Sequence, residues 1–250
     1  MAADPFELRK WYRYLRVVDV CDAMDGIGYF EFGRMDPRIR PVWPGMRFWG
    51  AAFTVRCVPA RRPMWKLSTT EEIVDAHGVW FRQAGGAPGF AEAIRPGHVI
   101  VTDTGGAGEV GYWGSANSMN MTARGAVGIV TNGWVRDTGE VAIQKTPICA
   151  AGRGRTIIPG RIDTVEWQSV IGCGGVQVAP GDLVGADDDG VLVVPIERAA
   201  EVARHARAIL LADMRGRREL YKRHSLPADE TVDYEAVEAY YAVLGDPPGA

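Results

Sequence analysis

Apolar residues change their period along the chain, and the changes mark out elements. Ala51–Val58 (AAFTVRCV) is an almost unbroken apolar and β-branched run, which predicts a buried strand. His98–Val101, closed by Thr102-Asp103, and Ala126–Thr131 are two more such runs. Between them lie a glycine-rich loop and a segment that reads as a helix from about Ser115. Strand, glycine loop, helix, strand is one βαβ unit. Shorter strands are predicted at Pro147–Ala150 and Gly175–Val178, the latter ending in the turn Ala179-Pro180-Gly181-Asp182. Leu183–Ala186 and Val191–Val194 flank Asp187-Asp188-Asp189-Gly190, a hairpin with Asp-Gly at its turn.

Helical spacing appears at both ends. From Pro5 to about Asp25, Phe6, Trp11, Leu15, Val18 and Met24 form a loose stripe behind an Asp4-Pro5 cap. Ile196 to about Lys222 carries Ala199, Val202, Ala206, Ile209 and Leu210 on one face, and a second helix, Thr231–Leu244, follows Pro227. Thr69–Ala76 is a short helix and Phe90–Ile94 a helical turn. Gly26–Pro44, Gly85–Gly89 and Arg153–Asp163 read as loops. The pattern predicts a single α/β domain, a mixed sheet with flanking helices.

Composition narrows the function classes. The 250 residues are 47% hydrophobic and 24% charged, ordinary values for a globular chain. The net charge of −3 and a pI of about 5.9 give no global field that would favour nucleic acid. No apolar run reaches membrane-spanning length, and the charged N-terminal stretch is not a signal peptide. Cys21, Cys57, Cys149 and Cys173 lie far apart without a CxxC pair, which predicts buried, reduced thiols, a cytoplasmic location and no structural zinc.

Candidate chemistry concentrates in Gly105–Glu140, which opens with five glycines in ten residues. In a βαβ unit the loops at the carboxyl ends of the strands hold the ligand. A helix N-terminus there presents free N–H groups to an anion. Arg136 offers a fork that matches a carboxylate, and Asp137 a hard oxygen for Mg²⁺ or a similar ion. Trp134 can wall a pocket, and Glu140 can add a second carboxylate. Gly106-x-Gly108-x-x-Gly111 matches a dinucleotide fingerprint, but the helix begins several residues beyond it and the second strand ends in Thr131-Asn132-Gly133, without the acidic residue for a ribose. Asp187–Gly190 lacks calcium-loop spacing. No serine sits in a G-x-S-x-G elbow, and the four histidines are dispersed, with His77 a weak outsider beside a glycine-rich loop.

Taken in order, these segments resemble the RraA-like proteins, which include 4-hydroxy-4-methyl-2-oxoglutarate aldolases, oxaloacetate decarboxylases and the regulator of ribonuclease E. The residues that carry the resemblance are Asp22–Gly28, Arg40-Pro41, Gly50–Val55, Pro96–Val101, Pro180–Val184 and Asp187–Pro195. It covers about residues 19–220, leaving 1–18 and 221–250 as N- and C-terminal helical extensions. It implies a swivelling β/β/α fold and a homotrimer or hexamer with its site between subunits. Gly114, Ser115, Ala116 and Asn117 would form the substrate loop, Arg136 would bind the carboxylate of a 2-oxo acid, and Asp137 would hold Mg²⁺ or Mn²⁺. The implied reaction is metal-dependent retro-aldol cleavage or decarboxylation, through a pyruvate enolate. The chain departs from the aldolases at Ser115, where they carry an acidic residue that moves a proton. Glu109 or Glu140 is then a candidate substitute, and Asp213 aligns with an acidic residue supplied by the neighbouring subunit. The departure keeps two alternatives in view: a non-catalytic binding or regulatory protein, and a metal-dependent enzyme with a different reaction on a carboxylated substrate.

Overall fold

The computed structural model describes residues 4–76, 78–80 and 89–248. His77 and Gly85–Pro88, singled out above, lie outside the described residues. The strands are β1 (Arg40–Pro41), β2 (Phe48–Pro59), β3 (His98–Asp103), β4 (Gly111–Trp113), β5 (Gly128–Val135), β6 (Ile148–Arg153), β7 (Ile162–Trp167), β8 (Ile171–Cys173), β9 (Val176–Val178), β10 (Leu183–Asp187) and β11 (Gly190–Val194). The helices are α1 (Pro5–Leu8), α2 (Val17–Gly26), α3 (Thr70–Val74), α4 (Ser115–Ala123), α5 (Thr138–Ile143), α6 (Ala199–Arg223) and α7 (Tyr234–Leu244).

The main sheet runs β1-β6-β5-β3-β2-β10-β11, with β4 added to β5 and β7 to β2. β2, β3, β5 and β6 are parallel neighbours, whereas β1, β7, β10 and β11 pair antiparallel, so the sheet is mixed as predicted. It curls until it is nearly barrel-shaped. Alternate side chains then point to different layers. Val99, Val101, Val130, Val184, Ala186, Val191 and Val193 fill the interior, with Ile171, Cys173 and Val178 of the separate β8–β9 pair packed against them. Phe53, Ile100 and Ile129 face outward, where Met121 of α4 and Val141 of α5 cover them. Leu183, Leu192 and Val194 face a third layer built from α2, α6, α7 and the N-terminal segment.

The expected helix from Pro5 to Asp25 is broken in two. A turn of 3₁₀ helix, Arg9–Tyr12, follows α1, and the chain is extended at Arg16 before α2 begins. The break is held from outside the segment. The Trp49 indole donates to the Leu15 carbonyl, and the Val17 N–H is taken by the Asp187 carboxylate at 2.8 Å. The buried Asp19 accepts the Arg16 N–H and guanidinium. Helical spacing alone does not register such tertiary capping. The hairpin falls where predicted, with Asp187 opposite Gly190. Its acidic turn is more than a solvated tip, because Asp187 is 7% exposed and caps α2. Strands β1, β4, β7 and β8 lie in stretches that read as loop or carried no reading.

His98 opens β3 and is 4% exposed. Burial, with Arg95 nearby, pushes its imidazole down to about 4. The unfolded chain therefore binds this proton near the ordinary 6.5, where the folded chain does not. Between about pH 6.5 and 4 the unfolded state holds more protons, so stability falls as the pH falls through that window. We expect His98 to account for about 2–3 kcal/mol of that loss. Urea denaturation at pH 7.5 and 4.5 checks this: the difference should shrink by that amount in His98→Gln and stay unchanged if His98 is not the cause.

Candidate active site

β3 and β4 share one edge of β5. β3 covers Gly128–Thr131, and β4 covers Trp134 and Val135. The glycine loop bridges the gap between them. Its anchor is Asn132, whose side-chain oxygen accepts the Thr104 N–H at 2.8 Å while its amide donates to Asp103 at 2.8 Å. Gly105 and Gly106 take positive φ, and a Cβ on Gly105 would lie 2.7 Å from the Cys57 carbonyl oxygen. Gly111 already belongs to β4, and α4 starts only at Ser115. The Gly106–Gly111 pattern therefore does not lead directly into a helix N-terminus, which removes the geometric basis of a dinucleotide site.

The chain leaves β4 through Gly114, the N-cap of α4, and leaves β5 through Arg136 and Asp137 into α5. These two exits touch. The Ser115 N–H and Oγ donate to Asp137 Oδ2 at 3.3 and 3.4 Å, and Arg136 Nε donates to Oδ1 at 3.2 Å. A Cβ on Gly114 would sit 2.6 Å from Asp137 Oδ2 and 3.1 Å from Arg136 Cγ, so only glycine lets the loop lie this close. The Arg136 N–H donates to the Trp113 carbonyl, which fixes its backbone. Asp137 adopts φ 54°, ψ 37°, the left-handed region, at a cost of order 1 kcal/mol for a residue with a Cβ. Arg136 and Asp137 keep about a third of their side-chain surface open. The structure thus brings Gly114, Ser115, Arg136 and Asp137 together. Ala116 and Asn117 follow in the first turn of α4, where backbone N–H groups have no helical partner.

The carboxylates proposed for proton transfer fare differently. Arg155 clamps Glu109 through its N–H, Nε and guanidinium, and these bonds pull the Glu109 carboxyl down to about 2. Such a carboxylate is a poor proton acceptor at neutral pH, so Glu109 is withdrawn as a substitute base. Glu140 stands exposed in the first turn of α5. Asp213, on α6, bonds to Arg16 at 2.7 Å and to Arg217 of its own chain. These bonds join it to the N-terminal layer and to its own helix, away from Ser115, Arg136 and Asp137.

The donor set of Asp137 suits one kind of cation. Both carboxylate oxygens carry only long hydrogen bonds of 3.2–3.4 Å, which an ion can displace. Among the described residues no group of three His, Cys, Asp or Glu comes together. One carboxylate fits Mg²⁺ or Mn²⁺, which keep most of their waters, and not a closed zinc cage.

A family model described as RraA-like, Aldolase/RraA, matches residues 17–193, well over half of the chain. The chain belongs to the RraA-like family. A protein of Albidiferax ferrireducens provisionally named 4-hydroxy-4-methyl-2-oxoglutarate aldolase is 29% identical over 181 residues, covering 70% of this chain and 92% of that protein. Protein DlpA of Legionella pneumophila is 27% identical over 197 residues, 79% of this chain. The chain spans only 29% of DlpA, and 53%, 53% and 64% of three further curated relatives. Among solved structures, Streptomyces coelicolor RraAS2, described as an unusual member of the RNase ES inhibitor RraA protein family, superposes with a TM-score of 0.68 at 23% identity, over 88% of this chain and 98% of that one. That likeness shows the RraA-like fold, an α/β mixed sheet with flanking helices. Among the described residues, no helix of this RraA-like chain is long and apolar enough to cross a membrane.

Proposed function

We propose that this protein is a divalent-metal-dependent lyase that breaks a C–C bond of a 2-oxo acid, by retro-aldol cleavage or decarboxylation. The observation that carries the reading is the junction of the α4 N-terminus with Arg136 and Asp137. It sets a carboxylate-binding fork and free N–H groups beside a single hard oxygen ligand. In this reading Arg136 and the N–H groups of Ala116 and Asn117 hold the substrate carboxylate, which fixes the 2-oxo group toward Asp137. Asp137 would hold Mg²⁺ or Mn²⁺, and the cation supplies a positive charge that polarises the 2-oxo oxygen. Ser115 gives its N–H and Oγ to Asp137 and orients that carboxylate. It has no acid to move a proton itself. Glu140 would hold the proton; Asp213 of a second copy of the chain in a trimer could do so only once released from Arg16 and Arg217, which hold its carboxyl below the usual carboxylate range.

One observation favours a second reading. With Ser115 at the loop and Glu109 neutralised by Arg155, one chain offers little general-base capacity next to Asp137. A binding or regulatory protein that keeps the fold without turnover fits that deficit. Arg136→Gln separates the two. Removing a charge-assisted carboxylate contact is expected to raise KM for a 2-oxo acid about tenfold or more. Unchanged KM and kcat would remove Arg136 from the site, and absence of turnover in the unsubstituted protein would favour the binding role.

A further inference from the structure

β4, β5 and β6 are neighbours in the sheet, and the exit of β6 carries a contact that the proposed reaction does not use. The chain leaves β6 at Arg153 and continues through Gly154, Arg155 and Thr156. The Gly154 N–H donates to the Val135 carbonyl at 2.8 Å, so this strap starts beside the residue that precedes Arg136. Its far end is tied to the chain just before β4. The Thr156 hydroxyl donates to the Glu109 carbonyl. The Glu109 carboxylate accepts the Arg155 N–H at 2.9 Å, and its Nε and terminal NH₂ at 2.8 Å each. We propose that this Glu109–Arg155 clasp positions Arg136 to bind a carboxylate, a role that rests on Arg136 being the carboxylate fork of the lyase reading. Glu109 and Arg155 are then positioning residues that act through Arg136 and not on the substrate.

An arginine side chain that is free to move loses rotamer freedom when it grips a ligand, and that loss weakens binding. The Arg136 stem is walled before any ligand arrives. A Cβ on Gly111 would meet Arg136 Cγ at 3.1 Å and the Thr156 carbonyl oxygen at 2.7 Å, so stem and strap close over the same glycine. A Cβ on Gly114 would meet Arg136 Cγ at 3.1 Å and Cδ at 3.6 Å. Gly111 and Gly114 are placed by β4. Thr156 comes from beyond β6, and it is held at Gly111 by its own bond to Glu109 and by the clasp on Arg155 next to it. The strap also packs flat, since a Cβ on Gly154 would lie 3.1 Å from Glu109 Cγ and 3.2 Å from the Trp134 ring.

Exposure separates this role from plain stability. The Arg155 side chain is 88% exposed and that of Glu109 25%. Ion pairs so open to solvent add little to folding. Three bonds that converge on one carboxylate, one of them from a backbone N–H, still fix the path of a loop. Substitutions here should therefore move ligand binding more than the unfolding midpoint. A direct grip of Arg155 on the far end of a substrate is the competing role, and it would require Arg155 to leave Glu109.

The test compares Glu109→Ala, Arg155→Ala and the double variant with the unsubstituted full chain. Thermal midpoints are measured beside the affinity for sodium pyruvate with Mg²⁺, by calorimetry, and kcat and KM for oxaloacetate. Each single variant should weaken pyruvate binding and raise KM about three- to tenfold, with kcat within about twofold and the midpoint nearly unchanged. The double variant should be no worse than either single one, because the pair acts as a unit. The Arg136 Nε–H signal in nitrogen-labelled protein, assigned by Arg136→Lys, should gain fast motion in the variants without any ligand. Unchanged affinity with an unchanged Arg136 signal would overturn the proposal. A loss of kcat that tracks the midpoint at constant KM would do the same, as would a KM effect on oxaloacetate with pyruvate binding intact, which places Arg155 on the far carboxylate. Pyruvate binding weakened in the variants of a protein that turns over no 2-oxo acid supports the clasp and overturns the lyase reading. Metal-dependent turnover that the variants leave untouched does the reverse, and neither turnover nor pyruvate binding in the unsubstituted protein would overturn both.

Discussion

Asp137→Asn is expected to cut turnover of a 2-oxo acid about 10³-fold or more while the protein stays folded. The amide is isosteric, and Asn tolerates the left-handed backbone at this position, so the Ser115 and Arg136 contacts lose little in shape. What goes is the negative charge that would hold the cation, and with it several kcal/mol of charge stabilisation, equivalent to at least three decades in rate. Pyruvate release measured beside the thermal unfolding midpoint checks this. An unchanged midpoint with a collapsed rate supports the assignment. Full activity in Asp137→Asn would remove the residue from the chemistry.

The second large effect is on stability. Trp113 is the last residue of β4 and is 0% exposed, with its indole donating to Thr102 Oγ1 at 3.1 Å. It packs in the layer that also holds Met121 of α4 and Val141 of α5. Trp113→Ala should cost about 3–5 kcal/mol, the sum of lost burial and the cavity left behind. Thr102 Oγ1 also loses its donor. A urea midpoint shift worth less than about 1 kcal/mol would mean that the loop leading to Gly114 is not held by this side chain. Because Trp113 immediately precedes the proposed substrate loop, activity should fall further than the unfolded fraction explains.

The sequence showed the parts of the fold that local chemistry dictates. The hairpin announced itself by Asp-Gly between apolar runs, the central strands by their continuous apolar character, α6 by helical spacing, and α4 by its place between two strands. What stayed hidden depends on partners distant in the chain. The break before α2 rests on Trp49 and Asp187, and β4 is three residues that become a strand only against Trp134 and Val135. β7 is amphipathic and partly exposed, so its residues carry little apolar signal. The βαβ unit, its glycine loop and the Arg136-Asp137 pair were legible as a candidate site. The close approach of Gly114 to Asp137 and the clamp of Arg155 on Glu109 required coordinates.

Metal-dependent cleavage of a 2-oxo acid at Asp137 is open to assay. Its most direct test is pyruvate release from oxaloacetate and from 4-hydroxy-4-methyl-2-oxoglutarate, with Mg²⁺ or Mn²⁺ and with EDTA. Release from at least one substrate should depend on added metal and stop with EDTA. No release from either substrate, on folded protein with either metal, would contradict it.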